Sequence, residues 1–149
     1  MKRRRKPTAK KKGHVRGGKK LKSSLEAYCY DALRDAKLQF DYEEHKYYLM
    51  DGFKYEGVYH KATRGKDIMV DKTGKAVLGV TYTPDFVSEK HKFVIETKGW
   101  VPSQHTFTIR WKMFLHHMNE TGKGDWMLFI PRNRKQVDDA INIIKQQLK

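Results

Sequence analysis

The chain has one cysteine in 149 residues, Cys29, so no internal disulfide can form, and no Cys/His spacing suits zinc. That usage fits a reducing compartment. No long apolar run occurs, and the charged start leads into no apolar stretch, so neither a membrane span nor a signal peptide is expected. The expectation is a cytoplasmic protein with no membrane partner. Acidic residues are missing from one region: the first 22 residues hold 12 of the 32 Lys and Arg but none of the 17 Asp and Glu. The other 127 residues carry 20 basic and 17 acidic side chains, so the net charge of +15 is mainly a terminal feature.

A segment that repels itself and has little apolar surface to bury is expected to stay disordered until it meets a polyanion. Residues 1–22 therefore read as a disordered basic tail, and 23–149 as one domain large enough for a real core. An anionic membrane or a nuclear address would also suit the charge, but no amphipathic apolar face accompanies it. Nucleic acid is the expected partner, met by Arg3, Arg4, Arg5, Lys10, Lys11, Lys12, Arg16, Lys19 and Lys20.

After the tail, "SSLEAYCYDALRDAKLQF" opens on a serine cap and repeats Leu25, Cys29, Ala32, Leu33 and Ala36 at helical spacing. A strand is expected within "FDYEEHKYYLM", and residues 51–75, with four glycines, read as an irregular excursion or an extra hairpin turning near "DKTGK". "AVLGVTYTPDF" and "KFVIETKG" read as two antiparallel strands joined by "VSEKH". A second helix presents Phe107, Trp111, Phe114, Leu115 and Met118 on one stripe and stops at Gly122 and Gly124. "DWMLFI" reads as a short buried strand. The last helix repeats Val137, Ala140, Ile141, Ile144 and Leu148. The fold class is α/β, a small mixed sheet flanked by helices.

The chemistry sits where "FVIETKG" stops being apolar. Residues two apart in a strand share a face, so Glu96 and Lys98 are delivered together with Val94 pointing coreward. An antiparallel return brings Asp85, at or near the end of the preceding strand, beside Glu96. Two close carboxylates raise each other's pKa unless a cation lies between them, which argues for magnesium held by Asp85, Glu96, the carbonyl oxygen of Thr97 and waters. A water held by Lys98 could then attack a phosphodiester. The pattern is short enough to arise by chance, and an exposed Glu–Lys cross-strand pair is the alternative.

In order along the chain, "SSLE", "FDYEE", "YTPDF" and "ETKG" resemble the PD-(D/E)xK nuclease superfamily, and within it the phage endonuclease I group that resolves Holliday junctions. The blocks span residues 23–99. The resemblance implies a restriction-endonuclease-like core, with Asp85 and Glu96 as metal ligands and Lys98 as the water-positioning amine. It also implies Glu26 as a further acidic ligand, although Ser23 and Glu26 equally fit a capping box. Magnesium is the implied cofactor, with manganese able to replace it. The implied activity is endodeoxyribonuclease cleavage of branched DNA in phage DNA metabolism, in the host cytoplasm, by a homodimer.

Two alternatives stand beside it: a less selective DNA nickase or endonuclease, and a non-catalytic basic nucleic-acid-binding protein. Arg110 and Lys112 flank the stripe of the second helix and are candidate phosphate contacts, as are Arg132, Arg134 and Lys135 after the last strand. His116 and His117 diverge by about 100° on a helix and read as surface residues, not ligands.

Overall fold

Val15 and Arg16 lead into Gly17-Gly18, and both glycines adopt positive φ, +54° and +77°. Two successive residues in that region form the tight turn whose twist suits a two-residue hairpin. In the computed structural model, which describes residues 13–99 and 105–149, β1 (His14–Arg16) and β2 (Lys19–Leu21) pair antiparallel across this turn. The expected disorder through Lys22 is thus corrected from residue 14 onward. The physical reason is twofold. Leu21 is buried in the core, and the charges find acidic partners further along: Arg16 binds Asp31 at 2.8 Å, Lys19 pairs with Glu44, and Lys22 pairs with Glu43. Arg3, Arg4, Arg5, Lys10, Lys11 and Lys12 lie outside the described residues.

Helix α1 (Ser24–Asp35) starts on Ser23, whose hydroxyl accepts the Glu26 amide at 3.1 Å. It ends with Lys37 at φ +57°, where the amides of Lys37 and Leu38 return to the carbonyls of Arg34 and Leu33. This closure satisfies two carbonyls and tucks Leu38 against Leu33 in the core.

Strand β3 (Asp41–Tyr42) follows, then β4 (Tyr47–Met50), β5 (Phe53–Lys54), β6 (His60–Lys61), β7 (Val70–Asp71), β8 (Ala76–Val77) and β9 (Val80–Tyr82). β4 pairs with β9, β5 with β8 and β6 with β7, all antiparallel, so the expected excursion is one nested two-stranded ribbon. It reverses between Lys61 and Val70, earlier than the expected "DKTGK", which makes a local turn on the return. Gly79 is required where the strands cross: a Cβ there would lie 2.5 Å from the carbonyl oxygen of Met50.

Pro84 offers no N–H, and there the chain leaves the ribbon. The stretch read as one strand, residues 76–86, is therefore divided among β8, β9 and β10 (Phe86–Ser88). β10 pairs antiparallel with β3 and with β11 (Phe93–Ile95), and β11 pairs in parallel with β12 (Met127–Phe129). The four-stranded mixed sheet runs β12-β11-β10-β3. Phe86, Phe93 and Ile95 face α1 and α3 (Arg134–Gln147), packing with Cys29, Leu33, Val137, Ile141 and Ile144. Val87 and Val94 face α2 (His105–Glu120), packing with Tyr47, Tyr82, Phe114 and Met118. The chain is thus mixed α/β, with three helices and several small sheets among the described residues. Two expected core positions are exposed: Leu115 lies at the edge of its stripe, and Leu148 caps the end of α3.

Candidate active site

The register Phe86↔Ile95 sets Asp85 opposite Glu96, one position beyond each strand. Asp85 therefore precedes β10 rather than ending the strand before it, a correction that leaves the predicted meeting intact. Main-chain bonds hold the outgoing segment: the Glu96 amide donates to the Phe129 carbonyl at 3.0 Å and the Lys98 amide to the Pro131 carbonyl at 2.9 Å. On the other side the Glu43 amide donates to the Asp85 carbonyl at 2.9 Å, with Glu43 at φ +49°.

The two carboxylates are cross-tied. Asp85 Oδ2 accepts from the Thr97 amide at 2.8 Å and from its hydroxyl at 2.6 Å. Glu96 Oε2 accepts from the Asp85 amide at 3.2 Å and from the Tyr82 hydroxyl at 2.8 Å. Glu96 Oε1 lies 3.0 Å from Lys98 Nζ, and that ammonium sits 4.3 Å from the ring centre of Phe107 on α2. Asp85, Glu96 and Thr97 are all buried, so each acidic group depends on these donors for what water would supply. Asp85 Oδ1 accepts no hydrogen bond among the described residues.

Burial is the main cause that raises the Asp85 carboxyl, to about 7, with the charge of Glu96 next and that of Glu26 adding to it; the Thr97 hydroxyl and amide oppose. Burial, followed by Glu96, also pushes the Tyr82 hydroxyl up, so it stays a neutral donor. The Cys29 thiol behind the site is raised by burial, then by Asp85 and Glu26, and is no nucleophile.

Glu26 is buried on the first turn of α1, but its Oε2 is engaged by the Lys22 amide at 3.0 Å and the Tyr42 hydroxyl at 2.6 Å. Half of the expected capping box forms, since Ser23 binds Glu26 while Glu26 reaches one residue beyond the cap. Among the described residues no three His, Cys, Asp or Glu side chains gather as a metal centre. The donor chemistry of Asp85 and Glu96 nevertheless fits magnesium, a hard ion that takes one or two carboxylates plus waters. Buried like charges with a raised carboxyl and an uncommitted Oδ1 are what a cation would relieve.

The expected phosphate contacts divide. Arg16 and Lys19 are tied to Asp31 and Glu44, while Lys20 is exposed with no ion pair among the described residues. Lys112 is exposed on α2, whereas Arg110 turns inward. Arg132, Arg134 and Lys135 are exposed at the start of α3, with Arg134 over the Tyr28 ring. A cleft of about 860 Å³ between the hairpin and α1 is lined by His14, Lys20, Lys22, Ser23 and Ser24. It meets the acidic site at Lys22 but holds no carboxylate of its own. His116 is exposed, as expected.

Sequence reasoning missed Tyr82, Lys22 and Glu43. Tyr82 had a legible signal, standing three residues before Asp85 on the α2 side of its strand. Lys22 and Glu43 had none, because their pairing depends on the hairpin being ordered.

A scan against protein-family models finds no match, and searches of curated proteins and of solved structures find no similar chain. No helix among the described residues is long and apolar enough to cross a membrane.

Proposed function

We propose that this chain is a magnesium-dependent endodeoxyribonuclease with a restriction-endonuclease-like core, acting on branched DNA such as a Holliday junction, with manganese able to substitute. The observation that carries the reading is the buried, cross-tied Asp85–Glu96 pair with Lys98 Nζ 3.0 Å from Glu96. Asp85 and Glu96 would hold the ion, joined by the Thr97 carbonyl expected from the sequence and by waters. When bound, the ion supplies a polarised water and offsets charge on the phosphate. Lys98, held by Glu96 and the Phe107 ring, donates to the water's oxygen and orients it on phosphorus. Hydrolysis would add that oxygen to phosphorus, break the P–O3′ bond and leave one of the water's protons on O3′, giving 5′-phosphate and 3′-hydroxyl ends. Lys20 on the wall of the cleft between the hairpin and α1, with the basic N-terminal residues, supports a DNA backbone as the substrate. A homodimer would present two such sites to opposed strands.

Four-way junction, flap, linear duplex and single-stranded DNA, each incubated with and without magnesium, test the reading. Magnesium-dependent cleavage fastest on the junction is expected. Equal cutting of the duplex would remove the branched-DNA preference and leave a less selective nuclease. Binding without any metal-dependent cleavage would remove the enzyme reading in favour of a non-catalytic binding protein.

A further inference from the structure

Arg110 stands on α2 one turn after Phe107, whose ring supports Lys98, and one turn before Phe114, whose ring centre is 4.9 Å from that of Tyr82. Its Nε is fully buried and has no hydrogen-bond partner among the described residues. Its charge reaches the Tyr82 hydroxyl, the donor to Glu96. Yet Arg110 pairs with neither carboxylate. Glu96 is already engaged by Tyr82, the Asp85 amide and Lys98, and Asp85 Oδ2 by Thr97. A desolvated guanidinium N–H with no acceptor is costly, and folded proteins rarely leave one without a reason. Lys112, two residues on and about 200° round the helix, is exposed, so of these two cations only Arg110 is half-buried, with its charge felt at the Tyr82 hydroxyl.

We infer that Arg110 is the anion grip of this site, donating from its guanidinium to a non-bridging oxygen of the phosphodiester that Asp85, Glu96 and Lys98 act on. This rests on the nuclease reading above. The planar fork of arginine matches two phosphate oxygens, and the partner that the described residues do not supply is an acceptor, best one carrying negative charge. The grip strengthens as charge grows on those oxygens during attack, so it acts on the rate more than on DNA affinity.

The test is single-turnover cleavage of a DNA that the wild type cuts, at saturating enzyme and magnesium, by Arg110→Ala, Arg110→Lys and Arg110→Met. Arg110→Met keeps the stem that packs in the aromatic stripe, and thermal melts report folding. The alanine and methionine variants should be on the order of a hundredfold slower. Their DNA Kd should change by less than about threefold, and lysine should restore little because it lacks the fork. Added methylguanidinium should speed Arg110→Ala and not the wild type. A folded Arg110→Met that cuts within about threefold of the wild type would overturn the inference. If the wild type cuts no DNA at all, the nuclease reading falls, and calorimetric titration of inorganic phosphate with magnesium decides for the anion site by itself. Binding to wild type that is lost in Arg110→Met sustains it; equal binding in both, or in neither, removes it.

Discussion

Replacing Asp85 with asparagine should make the metal-free protein more stable at pH 8 and leave it unchanged near pH 4. Burial and the neighbouring carboxylates raise the Asp85 carboxyl from 3.8 to about 7, so between those values the folded chain keeps a proton that the unfolded chain releases. The native state then binds more protons, and stability falls as pH rises through that window. A shift of that size, at roughly 1.4 kcal/mol per unit, corresponds to about 4 kcal/mol above pH 8. Residual denatured-state structure and relaxation around the pair reduce it, so about 2–4 kcal/mol is expected. Asparagine resembles the protonated acid in shape, and its carbonyl can still accept from the Thr97 amide and hydroxyl. Urea unfolding of both proteins between pH 4 and 9, without divalent ions, measures the difference. For a chain of this length the pH 8 gap corresponds to on the order of 10 °C in Tm. Magnesium at millimolar concentration should narrow it by stabilising the wild type alone. A difference independent of pH would refute the reasoning, since a lost or gained hydrogen bond gives such an offset; so would a less stable asparagine variant at pH 8.

Lys98→Met should lower the single-turnover cleavage rate by at least about a hundredfold while costing about 1–2 kcal/mol of stability, because Glu96 retains its bonds from Tyr82 and the Asp85 amide. Equal cleavage rates would reduce the lysine to half of an ion pair. Tyr82→Phe removes a donor to a buried carboxylate and should destabilise the fold by about 1.5–3 kcal/mol in urea titrations; a change under about 0.5 kcal/mol would show that Glu96 does not depend on it. Deleting residues 1–12 removes eight basic side chains and leaves the β1–β2 hairpin, so DNA binding should lose salt dependence without loss of folding. An unchanged salt slope would assign those residues to another partner.

The three helices were legible because each buries one stripe at a fixed period, as in Val137, Ala140, Ile141 and Ile144. The meeting of Asp85 with Glu96 was legible too, because it needs only a short antiparallel return and a period of two. What could not be read was anything set by pairing across distance. The first 22 residues look unfoldable when their charges are counted alone; in the described part, Asp31, Glu44 and Glu43 pair with Arg16, Lys19 and Lys22 from 15 to 25 residues away. The Gly17-Gly18 turn was a local signal, but the run of lysines around it concealed it. The ribbon has no clean alternation because only its base, at Tyr47 and Tyr82, packs on α2; beyond Met50 it runs as a two-stranded strip with Phe53, Val58 and Leu78 exposed.

The same cross-strand pair separates a structural reading of the site from a chemical one. If Asp85 and Glu96 served only to join two strand ends, apolar side chains of similar size would do so without the cost of desolvating like charges. The fold instead surrounds Glu96 with a tyrosine, an amide and an ammonium, then sets Asp85 where its own carboxyl is driven toward neutrality. Thr97 engages one oxygen of Asp85, and the other has no donor among the described residues. On α2, Arg110 holds its Nε inward with no acceptor among the described residues. On the function proposed above, a metal ion carrying a phosphate would meet both, the ion at the Asp85 oxygen and the phosphate at the Arg110 guanidinium.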